Sequence, residues 1–185
     1  MAIDLGGTRH LHIDETNEVF IKDLVLMKCA FFTAPCLKRF VGMIAEIDKH
    51  VQLASVGKTT KYCEHIGGTL HVSVDSMFPN VNIRRWYEDS MGVLKPSRVG
   101  IALFYWNWYK LKNAIDKVHD QIPALVVISP CWHNSQIDLM FCDECSPYHK
   151  EEDIDDVKAA EAAENLMIDT DSSTSGILIK CRKML

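Results

Sequence analysis

The sequence predicts an α+β fold made of two strands-then-helix repeats, followed by a small Cys/His β-hairpin and an acidic tail. Three observations predict it: a glycine signature that occurs twice, an apolar stripe of helical period that closes each half, and a shift to acidic composition after residue 150. A repeated unit should be weighed before any local motif, because it sets the whole architecture. The predicted segments are residues 6–53, 62–122, 123–149 and 150–185.

The strands are predicted where β-branched and polar residues alternate after each glycine signature. Gly6-Gly7-Thr8 precedes two such runs, at residues 11–14 and 19–22. Gly67-Gly68-Thr69 precedes the matching runs at residues 72–75 and 81–84. Alternation over four or five positions is typical of strands with one buried face. Because the order is the same in both halves, we interpret them as copies of one unit.

A helix is predicted at the end of each half, where apolar residues recur every three or four positions. The first stripe is Leu37, Phe40, Val41, Ile44, Ile47 and Val51. The second stripe is Phe104, Trp108, Leu111, Ile115 and Val118. Pro35 fits the start of the first helix and Pro123 prevents continuation of the second. This spacing favours a core role for Trp108 and Leu111.

Beyond Pro123 the sequence predicts a hairpin and then a tail of different character. Residues 124–129 and 137–142 are strand-like runs separated by a polar turn. From residue 150 onward Glu, Asp, Ala and Ser dominate, which is the composition of a largely disordered segment. The acidic tail therefore stands apart from the two repeats.

The charge is distributed unevenly along the chain. The formal net charge is −5, yet residues 1–150 carry 16 acidic and 16 basic side chains. Residues 151–172 carry nine acids against Lys158 alone, whereas residues 58–119 carry nine Lys/Arg and five Asp/Glu. The acidity therefore belongs to the tail, and the second repeat is the basic part of the molecule.

Three sub-motifs follow one another in the second repeat. They are a basic and aromatic strand end at residues 81–87, an arm at residues 94–103 that contains Lys95-Pro96, and Trp108 with Leu111. In this order and spacing, residues 72–118 resemble the C-terminal domain of positive cofactor four, the RNA polymerase II transcriptional coactivator family. The resemblance implies a homodimer of curved antiparallel sheets whose grooves take single-stranded DNA. For this chain it implies an intrachain pseudo-dimer or a homodimer, with a degenerate first copy that lacks the Lys-Pro arm.

Candidate nucleic-acid-binding residues lie in the first two sub-motifs. They are four cations and two aromatic residues: Arg84, Arg85, Lys95, Arg98, Trp86 and Tyr87. Cations that follow phosphates and rings that stack on bases are what single-strand binding needs. The resemblance implies that Arg84 and Lys95 contact DNA and that Tyr87 stacks. Strand alternation puts Arg84 with Trp86 on one face and Arg85 with Tyr87 on the other, and we favour the first pair.

The chain also departs from the family pattern. Residues 76–80 replace the lysines that precede the basic strand, Ser97 replaces the glycine of the arm, and Val99 replaces its second basic residue. Fewer phosphate contacts predict weaker binding and a shallower salt dependence. The alternative interpretation of the basic strand is a solvated sheet face, with Trp86 in the core.

A Cys/His set follows the second repeat. The candidate metal ligands are Cys131, His133, Cys142 and Cys145. Four such ligands would close the tetrahedron of a structural zinc site and leave no open catalytic position. Reduced thiols with a surface histidine are the equally weighted alternative. We find no phosphate-binding glycine loop, nucleophile elbow or His-Glu-x-x-His run, so we do not expect an enzyme.

The leading functional hypothesis is a nuclear single-stranded DNA-binding coactivator with transcription machinery proteins as partners. The sequence contains no run of about 20 apolar residues, the length that spans a bilayer, so we expect no membrane partner. The rival hypothesis is a protein-interaction adaptor that presents a degenerate coactivator fold, the structural zinc site of the Cys/His set and the acidic tail of residues 151–172 to a partner.

Overall fold

The computed structural model describes residues 1–89 and 91–130, and each half of this part has four strands followed by a helix. The first half contains β1 (Ala2–Gly6), β2 (Arg9–Ile13), β3 (Val19–Asp23), β4 (Cys29–Phe32) and α1 (Ala34–Ser55). The second half contains β5 (Lys61–Gly67), β6 (Leu70–Asp75), β7 (Phe78–Glu88), β8 (Leu94–Phe104) and α2 (Tyr105–Gln121). The predicted α+β class is confirmed, with two four-stranded antiparallel sheets and two α-helices in the described part.

Both sheets are meanders whose strands lie side by side in chain order. The glycine signature forms the first hairpin turn of each sheet, where Gly6 pairs with Arg9 and Gly67 pairs with Leu70. The φ angles of Gly6 and Gly67 are 95° and 124°, a region that residues with a β-carbon rarely adopt. The repeated glycines therefore serve one turn geometry that the chain uses twice.

One face of each sheet is buried, as strand alternation predicts. The buried sheet residues include Leu11, Ile13, Val19 and Ile21 in the first half and Val72, Val74, Val81 and Ile83 in the second. They join the apolar residues of both helices in one hydrophobic cluster. Full burial of such a side chain is worth about 1.5–3 kcal/mol. The two halves thus share one core and stabilise each other.

The helices begin and pack largely where their stripes predict. Thr33 precedes α1, and its side-chain oxygen accepts a hydrogen bond of 3.4 Å from the Cys36 backbone N–H, while Pro35 occupies the first turn. Such caps satisfy an N–H that has no partner within the helix. Trp108 is fully buried, and its ring meets Phe40 of α1 edge-on at a centroid distance of 6.1 Å. The core role predicted for Trp108 is confirmed.

Each helix lies against the first strand of the other half: α1 against β5 and α2 against β1. In α2, the Asn107 side chain donates hydrogen bonds of 2.9 Å to the backbone oxygens of Leu5 and Gly6. In α1, Cys36 occupies the corresponding place in the first turn, and a β-carbon on Gly67 would overlap its sulfur. The two halves are therefore joined by a reciprocal contact.

Two departures from the predicted elements concern the strands. β1 and β5 were not predicted, because only the last two residues of each are buried and the alternating pattern is missing. Phe104 was assigned to the helical stripe, but it is the last residue of β8 and precedes the first turn of α2. Its backbone N–H donates to the Asn107 side-chain oxygen at 3.1 Å, which fixes the change from strand to helix.

The strand predicted at residues 124–129 is wrong. A 3-10 helix occupies Pro123–Val126, and the N–H groups of Leu125 and Val127 donate to the carbonyls of Ile122 and Ala124. These local bonds satisfy the backbone without a neighbouring strand, so the β-branched residues follow their context rather than their intrinsic preference.

Residues 131–185, with the predicted second strand of the Cys/His hairpin and the acidic tail, lie outside the described residues. Neither α-helix in the described part combines the length and apolarity that crossing a bilayer requires.

Candidate nucleic-acid interface

The candidate interface lies on the face of the second sheet that points away from the core. Val81 and Ile83 are buried, so Asn80, Asn82 and Arg84 of β7 alternate with them and point to the outer face. Across the strand pair they lie opposite Phe104, Ala102 and Gly100 of β8, respectively. The outer face thus carries a polar row on β7 beside a row of mostly small residues on β8.

A bulge in β8 shapes one end of this face. Arg84 pairs with Gly100 and Trp86 pairs with Pro96, so two steps along β7 match four steps along β8. The Ser97 hydroxyl accepts a hydrogen bond of 3.1 Å from the Val99 backbone N–H inside the bulge. Gly100 has a φ of 138°, and a β-carbon there would overlap the Ile83 carbonyl oxygen. Bulges re-aim side chains, and Arg98 of this bulge lines the same groove as Arg84.

An open groove of about 320 Å³ lies beside the bulge. Its lining residues are Ser73, Asn82, Arg84, Trp86, Pro96, Ser97 and Arg98. Arg84 and Trp86, the pair favoured by strand alternation, therefore share this groove, and Arg98 joins them. None of these described lining residues carries a carboxylate, and the two guanidinium groups of Arg84 and Arg98 are the cations of the lining.

Arg84 is oriented by its neighbours on the same strand. Its Nε donates to the Asn82 side-chain oxygen at 3.3 Å, and the Asn82 amide donates to the Asn80 side-chain oxygen at 2.8 Å. Residues two apart on a strand lie on one face, which is why this ladder forms. A cation held in this way loses less conformational entropy when it meets an anion.

Trp86 packs against His71, which packs against His65. The ring centroids of Trp86 and His71 are 5.0 Å apart, and those of His71 and His65 are also 5.0 Å apart. Burial, followed by the nearby His65, lowers the pKa of His71 to about 4. His71 is therefore neutral near pH 7 and supports Trp86 as a flat apolar surface. Trp86 is half-buried on the outer face, so it lies outside the core to which the alternative interpretation assigned it.

Three of the six predicted residues do not line the groove. Arg85 pairs with the buried Leu70, so it lies on the opposite face of β7 from Arg84. Tyr87 pairs with Lys95 further along the arm. The Lys95 ammonium lies 2.5 Å from the Asp89 carboxylate. This hydrogen bond lowers the pKa of Asp89 to about 2, with help from hydrogen bonds that the backbone N–H groups of Val93 and Met91 donate. Lys95 is thus engaged within the arm.

Sequence reasoning missed other lining residues of the groove. Asn82 has the same parity as Arg84 on β7, a signal that could have placed it on the same face. Ser73 lies opposite Asn82 on β6, which only the strand register reveals. Ser97 became part of the lining through the bulge, for which the sequence carried no clear signal.

The predicted metal ligands lie outside the described residues: Cys131, His133, Cys142 and Cys145. Within residues 1–89 and 91–130, no three His, Cys, Asp or Glu side chains are grouped so that they could hold a metal ion.

Comparison of the chain with protein-family models, with curated proteins and with solved structures finds no match.

Proposed function

We propose that this chain binds single-stranded or melted DNA as a coactivator-like protein without enzymatic activity. The observation that carries the proposal is the convergence of Arg84, Arg98 and Trp86 in one groove whose lining has no carboxylate. Guanidinium groups attract the phosphates, and an aromatic face accepts a base of any sequence. This combination suits an unpaired strand better than a duplex, whose bases are already stacked.

The architecture supports the family assignment within this proposal. Each half has four antiparallel strands followed by a helix, and the halves share one core. The coactivator resemblance implies such an arrangement for two separate chains, so we propose that this chain forms the equivalent pseudo-dimer alone. A covalent link raises the effective concentration of the second half far above that of a free partner. Light scattering should then give a monomer of 21.0 kDa, and a stable homodimer would contradict the intrachain pairing.

The expected affinity is modest, because few cations line the groove. Each phosphate contact with a single strand contributes about 0.7 to the slope of log K against log salt concentration. Arg84 and Arg98 together therefore account for a slope of roughly −1.4. Stacking on Trp86 adds roughly 1–3 kcal/mol that salt does not remove.

The test is fluorescence anisotropy with labelled single-stranded and duplex oligonucleotides at low and moderate salt. The wild type should prefer the single strand, and Arg84→Ala should weaken its binding by about fivefold to tenfold, the equivalent of roughly 1–1.4 kcal/mol. Lys49→Ala is the charge-matched control, because Lys49 is exposed on α1 and pairs with the exposed Glu46. Equal binding of both oligonucleotides, or equal effects of both variants, would reject the proposal.

The nuclear location and the transcription machinery partners are proposed on the coactivator resemblance. A structural zinc ion held by the Cys/His set is proposed on the ligand spacing. Metal analysis of the purified protein, with a variant in which Cys142 and Cys145 are serine, tests the zinc site. One equivalent of zinc in the wild type and its loss in the variant are expected.

The alternative function is a protein-interaction adaptor, and one observation favours it. The β3–β4 turn exposes four consecutive apolar side chains, each at 40–70 % of its maximal area: Leu24, Val25, Leu26 and Met27. The Asp23 carboxylate accepts hydrogen bonds from the Val25 and Leu26 backbone N–H groups and holds this turn in shape. Exposed apolar patches often mark protein contacts. Under this function, alanine at Arg84 and Lys95 leaves partner capture intact, whereas serine at Val25 and Leu26 abolishes it.

A further inference from the structure

A second aromatic surface lies at the opposite end of the outer face from Trp86. The Phe104 and Trp106 rings stack at a centroid distance of 4.5 Å with an interplanar angle of 17°. Trp106 is 58 % exposed, an unusual exposure for the largest apolar side chain. Trp106 belongs to neither the predicted core nor the predicted binding residues, so its exposure requires an explanation.

The strand register places this stack on the same strip as the groove. Phe104 lies opposite Asn80, two residue pairs beyond Asn82 and Ala102 and on the same face of the sheet. Asn82 is part of the groove lining. Phe104 is four residues from Gly100 along β8, which corresponds to about 13–14 Å. A DNA single strand that leaves the groove along β8 therefore passes small and polar side chains before it reaches Phe104 and Trp106.

The stack is held in place by the first half of the chain. The Arg9 guanidinium lies 4.9 Å from the centroid of the Phe104 ring, and its Nε donates to the Ala102 carbonyl at 2.8 Å. Asp23 lies 3.5 Å from the Arg9 guanidinium. Because the Arg9 side chain is only 12 % exposed, its role is to fix Phe104 rather than to meet a phosphate. A base on Trp106 would thus meet a preorganised support.

A cation lies one helical turn beyond Trp106. Lys110 is four residues further along α2, so both side chains lie on one side of the helix. The Lys110 ammonium is 3.8 Å from the Asp4 carboxylate, and the two side chains are 52 % and 63 % exposed. A pair so open to solvent contributes little by itself, so Lys110 can exchange Asp4 for a phosphate at small cost.

We infer that Trp106 is a second base-stacking residue, and that one DNA single strand runs from the Arg84 groove along β8 to Trp106 and Lys110. The inference rests on the proposed function and extends its site from a single groove to a track with an aromatic ring at each end. An oligonucleotide that fills only the groove uses Trp86, whereas a longer one also uses Trp106. The gain in affinity with length should therefore depend on Trp106.

The test compares a short and a long oligothymidine by anisotropy, about 4 and about 12 nucleotides, within the range of sites known for single-strand binders. Trp106→Ala should weaken the long oligonucleotide by about 5- to 140-fold, the equivalent of stacking one base. It should leave the short one unchanged. Trp106→Phe should keep most of the affinity for the long oligonucleotide, because a ring remains.

Val127→Ala is the control for removal of an exposed apolar side chain. Val127 is 82 % exposed and lies beyond α2, whose last residue, Gln121, is about 22 Å along the helix axis from Trp106. It should bind both oligonucleotides like the wild type. A thermal melt of each variant verifies folding.

The outcomes separate the inference from the proposed function. If the wild type binds neither oligonucleotide, the proposed function fails. If Arg84→Ala weakens binding but Trp106→Ala affects neither length, or both equally, the proposed function stands and the second stacking residue is rejected. Loss of partner-protein capture by Trp106→Ala, with unchanged DNA binding, would assign the stack to a protein contact instead and overturn the inference.

Discussion

Asp48 of α1 is the polar link between the two helices, and its removal should test how strongly the halves depend on each other. Its carboxylate accepts hydrogen bonds from the Trp108 indole N–H at 3.0 Å and from the Lys112 ammonium at 2.9 Å. The Asp48 side chain is 14 % exposed and that of Lys112 is 31 % exposed. The pair is therefore shielded from water more than an ordinary surface ion pair.

The expected cost of Asp48→Ala follows from the groups that it leaves behind. The fully buried Trp108 loses the partner of its indole N–H, which costs about 1–3 kcal/mol. Lys112 loses its counter-charge but can turn to water, so its share is at most about 1 kcal/mol. We expect a total of roughly 1–4 kcal/mol. Asp48→Asn keeps an acceptor for Trp108 and should cost only about 1 kcal/mol.

Urea unfolding measures these changes. With a slope of about 2 kcal/mol per molar, the midpoint for Asp48→Ala should fall by roughly 0.5–2 M. Glu46→Ala is the control, because Glu46 is half-exposed and forms ion pairs with Lys49 and His50 of the same helix. If Asp48→Ala costs no more than this control, the helices are not linked through Asp48.

The stabilisation by Asp48 should depend on pH. Burial raises the pKa of Asp48, but the hydrogen bonds from Lys112 and Trp108 outweigh burial and lower the pKa below the ordinary value of 3.8. The unfolded chain therefore takes up the proton first as the pH falls. The advantage of the wild type over Asp48→Asn should be complete above about pH 5 and should decrease as the pH falls through the folded-state pKa. An advantage that grows on acidification would contradict this account.

Two further predictions concern the groove and the tail. Gly100→Ala should strain the bulge by about 1–3 kcal/mol and lower the Tm measured by calorimetry by roughly 3–10 °C. It should also weaken single-strand binding. An unchanged Tm would show that a β-carbon close to Ile83 is tolerated. Deleting residues 151–185 removes nine acidic side chains and should tighten single-strand binding at low salt but hardly at high salt, where such repulsion is screened; no change in anisotropy at low salt would exclude competition by the tail.

Features that depend on local spacing could be predicted from the sequence. The two helical stripes, the glycine turns and the placement of Arg84 with Trp86 on one face follow from periods of 3.6 and 2. β1 and β5 escaped prediction because they lie at the edges of their sheets, where burial is confined to the last two residues. Their position is determined by contacts with the helix of the other half, which no local pattern encodes.

The composition of the groove could be predicted only in part, because a bulge determines it. The alternation of side chains along a regular strand does not predict a register shift. Here, four residues of β8, from Gly100 to Pro96, span the same distance as two residues of β7, from Arg84 to Trp86. That step brings Arg98 and Ser97 into the lining, while Lys95 remains on the arm beside Asp89. The bulge depends on Gly100 approaching β7 more closely than any side chain would permit, and this approach is a tertiary feature.

A linked pair of halves can divide tasks in a way that two identical chains cannot. In the first half, β3 ends at Asp23, which accepts hydrogen bonds from Thr8 and from the backbone of a short turn. In the second half, β7 continues to Glu88 and pairs with the arm, the part of β8 that shapes the groove. The first half contributes Arg9 instead, which supports Ala102 and Phe104 of the other sheet. Arg9→Ala should therefore loosen the Phe104 end of the track without removing any cation from the Arg84 groove. One half presents the surface and the other holds it in place.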